Sequence, residues 1–310
     1  MSRRVIRFLL SACALVPALS MHVVRAQVET PDATPGASAQ TLRWRARLAE
    51  AGEPATVPPG IRVIRDVAYG SDPRQRFDVY APKVARGAPV IFMVHGGGWR
   101  RGDKAMRGVV QNKVAYWVVR GYVVISTNYR MLPDTSPLQQ AQDVARALAT
   151  AQRRAAAWGA DPNRFVLMGH SAGAHLVALL TARPELASEQ GARPWRGTVS
   201  LDSACLDVVQ TMRGRHFPLY DQAFGTNPAD WLAASPYQHL AAAPAPFLAV
   251  CSSRRRDACP QAHAFVDKLQ SLGARGRVLE EDLSHGEINK TLGEPSDYTT
   301  EVDAFLRSVW

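Results

Sequence analysis

A serine between two glycines stands where it could act as a nucleophile. Gly169-His170-Ser171-Ala172-Gly173 follows the apolar run Phe165–Met168 and precedes a helical pattern, Ala174–Thr181. A sharp strand-to-helix turn holds such a serine at a strained backbone position, where a side chain at either flanking glycine would collide with neighbouring elements. The turn also aims the Ala172 N–H, at a helix N-terminus, at the place where an oxyanion would form. The motif therefore predicts a nucleophilic Ser171.

A run of glycines follows another buried strand. The apolar residues Val90–Val94 lead into His95-Gly96-Gly97-Gly98-Trp99. Three successive glycines weaken ordinary packing, but they let backbone N–H groups approach a substrate carbonyl closely. Two such donors and the Ala172 N–H would form an oxyanion site. We expect His95 to brace this loop by hydrogen bonding, and Trp99 either to line a pocket or to pack. A phosphate loop is the alternative, but the Lys-Ser/Thr of a P-loop and the G-x-G-x-x-G spacing are missing.

A serine nucleophile needs a base, and the base needs a carboxylate that orients it. In the order Ser…Asp…His, both partners follow Ser171 on loops after later strands. His285 alone follows the last predicted strand, in Asp282-Leu283-Ser284-His285-Gly286. The other histidines after Ser171 lie on predicted helices or in a candidate lid: His175, His216, His239 and His263. We therefore predict His285 as the base.

The predicted acid is Asp257. It comes after the predicted strand Phe247–Cys251 and ends the run Arg254-Arg255-Arg256-Asp257. The three arginines would favour an ionised Asp257 and could attract anionic substrates, although a solvated charge run is the simpler interpretation. Three other carboxylates compete for the role: Asp202 at the end of an earlier strand, Asp207, and Asp282, which is close to His285 in sequence.

Strand patterns alternate with amphipathic helices after residue 60, which predicts βαβ units and an α/β fold with a mostly parallel sheet. The predicted strands are Ile61–Ala68, Arg76–Tyr80, Pro89–Val94, Tyr122–Asn128, Phe165–Met168, Thr198–Leu201, Phe247–Cys251 and Arg277–Glu281. Four apolar stripes are predicted core faces of helices: Val110, Val114 and Trp117; Leu138, Ala141, Ala145 and Leu148; Ala262, Phe265, Leu269 and Leu272; and Tyr298, Val302, Phe305 and Val309. The long gap between regular elements, about 206–246, is a possible small lid insertion.

The first 26 residues have the pattern of a secretory signal. Arg3, Arg4 and Arg7 precede an apolar stretch, Phe8–Leu19, and Val24-Arg25-Ala26 offers a cleavage site. The apolar stretch is shorter than the roughly 20 residues that span a bilayer, so no stable membrane anchor is expected. We expect cleavage near Ala26 and a secreted or periplasmic protein. Residues 27–60 are rich in Pro, Ala, Gly and Thr and predict a flexible leader, with residues 61–310 as the catalytic domain.

Export to an oxidising compartment makes the cysteine count informative. Cys13 would leave with the signal, and the three that remain favour one disulfide and one free thiol. A bond between Cys251 and Cys259 would clamp a short loop and leave Cys205 free; three buried thiols are the alternative. No cysteine or histidine spacing is typical of a zinc site, and we expect neither metal nor cofactor.

The composition is that of an ordinary globular protein. Of 310 residues, 46% are hydrophobic and 21% charged, which excludes disorder and a disulfide-dense miniprotein. The formal net charge is +10, but four arginines lie in the first 26 residues, which carry no acid. The positive charge that remains is scattered along the chain, so we expect no nucleic-acid partner.

Together these residues resemble the α/β-hydrolase superfamily, and in particular the esterase and lipase group marked by H-G-G-G-W and G-H-S-A-G. That group includes hormone-sensitive-lipase-like and feruloyl-esterase-like members. Further matching stretches are Asn128-Tyr129-Arg130 with Pro133, the helix around Asp143-Val144, Gly159-Ala160-Asp161-Pro162, and Ala234-Ser235-Pro236. The resemblance covers about residues 60–310 and is specific to the family but not to the substrate.

The resemblance implies an α/β-hydrolase fold and assigns the site residue by residue. Ser171 would be the nucleophile, Asp257 the acid and His285 the base, with Gly97, Gly98 and Ala172 as oxyanion donors, or Gly96 in place of Gly98. The implied activity is hydrolysis of small-molecule or carbohydrate-linked carboxylic esters, of short-chain acyl, acetyl or feruloyl type, through an acyl-enzyme and without a cofactor. The alternatives are an amide-type hydrolase (an arylformamidase or a peptidase) and a non-catalytic binding protein on the same scaffold.

Overall fold

The structure of the protein is a computed structural model that describes residues 55–241 and 244–310. The predicted signal segment, residues 1–26, and most of the predicted leader lie outside the described residues. The end of that leader contacts the rest of the chain, because the backbone N–H of Ala55 donates to the Ala105 carbonyl and that of Thr56 to the Gln111 side chain. Within the described residues, no helix combines the length and the apolar character that crossing a membrane requires.

Eight strands form one sheet with the order β1-β2-β4-β3-β5-β6-β7-β8. The strands β3 to β8 run parallel, and β1 and β2 are antiparallel to their neighbours. All eight predicted strands are confirmed, with boundaries that shift mostly by one or two residues. The largest shift is in β5, which begins before the predicted apolar run. The strands are β1 Ile61–Ala68, β2 Arg76–Pro82, β3 Ala88–Val94, β4 Val123–Thr127, β5 Ala160–His170, β6 Gly197–Leu201, β7 Phe247–Ser252 and β8 Gly276–Glu281.

Helices cover both faces of this sheet, which is why the inner strands are continuous runs of buried Val, Ile, Leu and Phe. The helices of the described residues are α1 Arg107–Trp117, α2 Pro137–Arg154, α3 Ala172–Ala182, α4 Glu185–Ser188, α5 Val208–Arg213, α6 Pro218–Phe224, α7 Pro228–Ala233, α8 Pro236–His239, α9 Ala258–Ser271, α10 His285–Lys290 and α11 Asp297–Ser308. Four of them, α5 to α8, are short and lie in the segment predicted as an insertion. Proline at the first or second position begins α6, α7 and α8.

Alternate side chains of β3 point into two separate cores, as the period of two along a strand requires. Val90 and Phe92 pack with residues of α2 and α3 such as Val144, Leu148, Leu176 and Leu180. Ile91 and Met93 pack on the other face with residues of α1 and α11 such as Val110, Trp117, Val302 and Leu306. The predicted stripe on α11 needs one correction: Leu306 is fully buried beside Val302, whereas Phe305 is only partly buried.

Because β3 and β5 to β8 are parallel, their carboxyl ends meet at one edge of the sheet. Ligands of open α/β sheets bind outside this edge. The glycine loop follows β3, Ser171 follows β5, Asp202 follows β6, and the arginine run follows β7. His285 comes shortly after β8. The fold therefore brings every sequence-predicted element of the site to a single edge.

Candidate active site

Ser171 occupies the strained turn that its flanking glycines predict. It lies between β5 and α3 with φ 55° and ψ −117°, a backbone region that a residue with a side chain rarely adopts. A Cβ on Gly169 would lie 2.3 Å from the Gly173 carbonyl oxygen, and a Cβ on Gly173 would lie 2.2 Å from that of Val94. Both glycines are therefore required for the turn, as the sequence analysis expected.

His285 is brought directly to the Ser171 hydroxyl. Its Nε2 lies 2.9 Å from Ser171 Oγ. His285 is the first residue of α10, and the Ser284 and Glu287 side chains cap that helix by hydrogen bonding to each other's backbone N–H groups. This reciprocal cap fixes the start of the helix and, with it, the position of the imidazole.

His170 holds the backbone of His285 from the opposite side. Its Nε2 donates a hydrogen bond of 2.8 Å to the His285 carbonyl, and the two rings lie 4.6 Å apart. Burial, and after it the nearby charge of His285, lowers the pKa of His170 to about 3, so its ring is neutral near pH 7. This role of His170 is not predicted by the sequence, although the residue stands inside the nucleophile motif.

The carboxylate that contacts His285 is Asp202. Its Oδ2 lies 2.5 Å from His285 Nδ1, and its Oδ1 accepts a hydrogen bond of 3.0 Å from the backbone N–H of Ser252. Asp202 directly follows β6 with a positive φ of 47°, and its side chain is completely buried. Ser171, His285 and Asp202 therefore form one hydrogen-bonded line.

The structure corrects the prediction that Asp257 is the acid. Asp257 precedes the first residue of α9 and its side chain is 79% exposed. Among the residues that the structure describes, its one ion pair is a long contact of 4.0 Å to Arg256. The loop after β7 turns so that Arg255, and not Asp257, faces the imidazole. The other competing carboxylates also lie elsewhere, since Asp207 caps α5 and Asp282 pairs with Arg254.

Arg255 binds the same carboxylate oxygen as His285. Its Nη1 lies 2.8 Å from Asp202 Oδ2 and 3.1 Å from the Ser203 carbonyl oxygen, to which it donates. The loop that carries Arg255 is closed by the Cys251–Cys259 disulfide, with 5.2 Å between the Cα atoms. The structure thus contains the disulfide that the sequence suggested, and Cys205 is left as a buried free thiol.

The ionisation of Asp202 follows from these contacts. Burial alone would raise the pKa of its carboxyl group. The hydrogen bond from His285, the charge of Arg255 and the Ser252 N–H outweigh burial and hold the pKa of Asp202 below its ordinary value. The group beneath the imidazole is therefore a carboxylate at any pH near neutrality.

The glycine loop passes directly beside Ser171. A Cβ on Gly96 would lie 2.9 Å from Ser171 Cβ. Gly97 and Gly98 both have positive φ, at 119° and 61°, and these values turn the peptide planes of the loop. Within residues 55–241 and 244–310 the backbone N–H groups of Gly97, Gly98 and Ala172 find no acceptor, so they are available to an oxygen bound beside Ser171.

His95 braces this loop. Its Nδ1 lies 2.8 Å from the Gly96 carbonyl oxygen, and its ring stacks on Tyr129 at 4.6 Å. The Tyr129 hydroxyl donates in turn to the His95 carbonyl at 2.9 Å. Burial lowers the pKa of His95 to about 4, so the ring is neutral near pH 7. These contacts agree with the bracing role expected from the sequence.

Trp99 packs in the core, which is one of the two roles expected of it. It is fully buried, and its Nε1 donates to His175 Nδ1 at 3.2 Å. The other ring nitrogen of His175, Nε2, donates to the Ala234 carbonyl at 2.8 Å. This chain of hydrogen bonds joins the glycine loop, the helix after Ser171 and the segment of short helices. This chain of hydrogen bonds is not predicted by the sequence, although His175 lies in the first turn of a helix that is buried on all sides.

No metal site accompanies these residues. In the part of the chain that the structure describes, no three or more His, Cys, Asp or Glu side chains come together in a group that could hold an ion.

Known sequences are similar to part of this chain. The BD-FAE family model matches residues 77–217. The probable isoprenylcysteine alpha-carbonyl methylesterase ICME of Oryza sativa subsp. japonica is 34% identical over 137 residues, 44% of this chain and 31% of that protein. Esterase LipC of Mycobacterium tuberculosis (strain ATCC 25618 / H37Rv) is 30% identical over 228 residues, 67% of this chain and 55% of that protein. The chain therefore spans less than two thirds of the length of these relatives.

Solved structures match most of the chain. Esterase B from Lactobacillus rhamnosis superposes with a TM-score of 0.65 and 21% identity, over 86% of this chain and 90% of that one. A truncated carbohydrate esterase from gut microbiota has a TM-score of 0.69 and 18% identity, over 83% and 99% of the two chains. Thermogutta terrifontis esterase 2 phosphonylated by sarin has a TM-score of 0.66 and 21% identity, over 81% and 95%. At these identities the superpositions show a shared fold.

Proposed function

We propose that this chain, which belongs to the esterase and lipase group of the α/β-hydrolase superfamily, hydrolyses carboxylic esters through an acyl-enzyme formed on Ser171. The observation that carries the proposal is the hydrogen-bonded line from Ser171 Oγ through His285 to Asp202. A serine becomes an effective nucleophile when an oriented base takes its proton, and this line supplies both the base and the group that orients it.

Acylation uses each of these groups in turn. His285 Nε2 takes the proton of Ser171 Oγ as the oxygen attacks the ester carbonyl, while Asp202 holds the Nδ1–H and stabilises the imidazolium. The carbonyl oxygen becomes an oxyanion that the N–H groups of Ala172 and of two loop glycines, Gly97 and Gly98, stabilise. His285 then donates its proton to the leaving alcohol, and the acyl group remains on Ser171.

Deacylation repeats these steps with water. His285 takes a proton from a water molecule, whose oxygen attacks the acyl carbon through a second oxyanion at the same donors. Collapse of that intermediate breaks the bond to Ser171 Oγ, which recovers its proton from His285, and the carboxylic acid leaves. Every proton transfer passes through one imidazole, so no cofactor enters the scheme.

The similarity to esterases supports esters as the substrates over amides, and supports a catalytic role over a binding role. Small-molecule or carbohydrate-linked esters with short acyl, acetyl or feruloyl groups are the proposed substrates. We also propose that the chain is exported and cleaved near Ala26, with residues 61–310 as the catalytic domain and about 206–246 as its insertion. The basic and apolar start of the sequence supports export, and so does the Cys251–Cys259 disulfide, because disulfides persist in oxidising compartments.

Covalent labelling and turnover test the proposal together. A fluorophosphonate is expected to label the folded protein once, on Ser171, and to abolish the hydrolysis of 4-nitrophenyl butyrate. The Ser171→Ala variant is expected to fold normally, to resist labelling and to lose all but a trace of turnover, since the remaining donors and binding groups act alone. Absence of labelling in folded wild-type protein would contradict the proposal and would favour a binding protein on this scaffold. Faster turnover of N-formyl or peptide substrates than of esters would favour the amide-type alternative.

A further inference from the structure

A cavity of about 940 Å³ lies beside Asp202 and beneath the short helices α5 and α6. Its walls include Ser203 and Ala204, which follow Asp202, and Arg255, which binds that carboxylate. The Ala204 N–H donates to the Ser171 carbonyl at 3.1 Å, so this wall contacts the backbone of the nucleophile turn. The volume is within the range of about 300–1,000 Å³ that is usual for small-molecule sites.

The lining of this cavity is basic. Three arginines face it against a single carboxylate, that of Asp257. Arg215 makes no ion pair within the described residues, and Arg256 has only its 4.0 Å contact with Asp257. Arg255 is already paired, since its Nη1 binds the Asp202 carboxylate. Arg215 and Arg256 therefore remain as cations with little local compensation.

One wall of the cavity is apolar and aromatic. Phe217 is 72% exposed although it is a large apolar side chain, and it lines the cavity with Pro218 and Tyr220. Exposed aromatic side chains at a concave site offer contact to apolar or aromatic ligand groups. The lining thus combines two cations with a surface suited to an aromatic or alkyl group.

Within the arginine run, Arg254 and Arg256 have exposed side chains and only Arg255 is turned inward. Arg254 does point outward, where it pairs with Asp282 and Glu287 at 2.8 and 3.4 Å. Arg255 turns inward to Asp202, and Arg256, whose side chain is 96% exposed, stands at the mouth of the cavity. The disulfide between Cys251 and Cys259 closes the loop that presents these three arginines in three directions.

We propose that this cavity binds a carboxylate carried by the ester substrate, through Arg215 and Arg256, while the Phe217 wall contacts the apolar part of the same group. The inference rests on the proposed ester hydrolysis and specifies its substrate class: esters in which the acyl or the alcohol part bears a second, free carboxylate. A guanidinium is suited to this role because its planar N–H groups match the two oxygens of a carboxylate.

Paired substrates that differ only in this charge test the inference. 4-Acetoxybenzoate and 4-acetoxybenzamide place the carboxylate or its neutral amide on the alcohol part. Mono-4-nitrophenyl glutarate and 4-nitrophenyl 4-carbamoylbutanoate place them on the acyl part, and spontaneous hydrolysis is subtracted for all four. The readout is the ratio of kcat/KM between carboxylate and amide. In wild-type protein this ratio is expected to be about fivefold in favour of the carboxylate in at least one pair, and to fall as sodium chloride is raised.

Variants distinguish carboxylate binding in the cavity from a general attraction of anionic substrates to a basic protein. Arg215→Ala with Arg256→Ala is expected to bring the ratio to about one. Arg254→Ala removes one positive charge from the loop that carries Arg256 but lies outside the cavity, so it is the control for general charge effects and is expected to keep the wild-type ratio. A ratio of one or less in both wild-type pairs, a ratio that survives the double substitution, or an equal loss in Arg254→Ala would each overturn the inference.

Binding to inactive protein separates this inference from the proposed function. Calorimetry of Ser171→Ala with 4-acetoxybenzoate and 4-acetoxybenzamide, and with the two glutaryl compounds, measures the preference for carboxylate without turnover. Tighter binding of the carboxylate compound, if it is lost when Arg215→Ala and Arg256→Ala are added to Ser171→Ala, supports carboxylate binding in the cavity even if ester hydrolysis fails. Equal binding within each pair overturns it even if neutral esters are hydrolysed.

Discussion

Arg255 and His285 bind the same oxygen of Asp202, Oδ2, at 2.8 and 2.5 Å. The two side chains arrive from different loops, after β7 and after β8, while Ser252 N–H occupies the other carboxylate oxygen. The acid of the proposed mechanism is thus fixed by three donors, and one of them carries a permanent positive charge.

The first prediction distinguishes Asp202 from Asp257. Asp202→Asn keeps the size of the side chain but removes the charge that orients and stabilises the imidazolium, so kcat should fall by about 10⁴-fold. Asp257→Asn is the matched control, and because Asp257 is exposed its kcat for neutral esters should stay within about twofold. Steady-state kinetics on 4-nitrophenyl butyrate gives both values. The reverse order of effects would restore Asp257 as the acid.

The second prediction concerns Arg255 and acid stability. The folded-state pKa of Asp202 is depressed, so the stability it contributes is present above the unfolded-state pKa and is lost as the pH falls through the folded-state value. Arg255→Met removes one cause of that depression, and it should reduce the free energy of unfolding at neutral pH by about 2 kcal/mol. The variant should also unfold at higher pH than wild type on acidification, below about pH 5.

Thermal unfolding between pH 3 and pH 7 measures this effect. Arg254→Met, which alters an exposed ion pair of the same loop, is the control and should follow the wild-type curve to within about 0.5 kcal/mol. Identical acid unfolding of wild type and Arg255→Met would show that Arg255 does not act on Asp202.

The third prediction tests the glycine loop. Gly98 and Gly87 both have a φ of 61°, and a Cβ would be free of clashes at each: 3.7 Å from Leu219 Cδ1 at Gly98, and with nothing within 4 Å at Gly87. Alanine should therefore cost a similar backbone strain at both positions, about 1 kcal/mol. Only Gly98→Ala should lower kcat, by about 10²-fold, because relaxation of the strain at its positive φ would turn the N–H of a proposed oxyanion donor away from the oxyanion.

Urea denaturation and steady-state kinetics on both variants separate the two effects. If Gly87→Ala and Gly98→Ala change kcat equally, or if neither changes it, Gly98 is not a donor. In that case the remaining candidate is Gly96, which lies beside Ser171.

The fourth prediction concerns the disulfide. Reduction of Cys251–Cys259 should release the loop that holds Arg255, and should lower both kcat and the free energy of unfolding. A loop this short predicts a stabilisation of about 2–3 kcal/mol from the bond. The Cys251→Ser, Cys259→Ser variant should behave like reduced wild type and should no longer respond to dithiothreitol. Activity that is unchanged on reduction would show that Arg255 keeps its place without the bond.

A thiol count on the chain from Gln27 complements that experiment. One thiol, Cys205, should react after denaturation without reductant, and three after reduction. In the native protein Cys205 should be inert, since it is buried and burial raises the pKa of its thiol.

The fifth prediction concerns a buried lysine under the helix that begins at His285. Lys113 Nζ donates to the Asn289 carbonyl and side chain at 2.6 and 2.9 Å, and no carboxylate of residues 55–241 or 244–310 pairs with it. Burial lowers its pKa to about 7. The unfolded chain then binds more protons than the folded one above pH 7, so the stability of the wild type should rise between about pH 7 and pH 9.

Lys113→Met is a close match in length and cannot titrate. Its free energy of unfolding should therefore lack this rise, and the difference between the two proteins, measured by urea denaturation at several pH values, isolates the contribution of Lys113. A difference that does not change with pH would show that Lys113 is charged in the folded protein over this range.

Much of this architecture could be predicted because it depends on local patterns. The inner strands are runs of apolar residues, and the glycines around Ser171 are required by close contacts at the turn. His285 could be chosen because it alone follows the last strand. The disulfide could be suggested because Cys251 and Cys259 are close in sequence and the third cysteine has no partner.

The choice between Asp202 and Asp257 could not be made in this way. Both carboxylates follow strands of the same sheet in the right chain order, and the decision depends on how two loops turn. At Asp202 the backbone adopts a positive φ that points the side chain at the imidazole. After β7 the chain presents Arg255 at the corresponding place, and an arginine run alone does not reveal which member is turned inward. The hydrogen bonds of His170 and His175 were missed for a similar reason, since their acceptors are distant in sequence.

The hydrogen bond from His170 to the backbone of His285 has one further consequence. His170 immediately precedes Ser171, so the proposed nucleophile and its proposed base are coupled through a single neighbouring residue. A displacement of the loop after β8 would be transmitted to the nucleophile turn, and the spacing between the two groups would change little. Under the proposed function, we expect adaptation to substrates of different shape to come from the segment of α5 to α8, which are short and joined by turns.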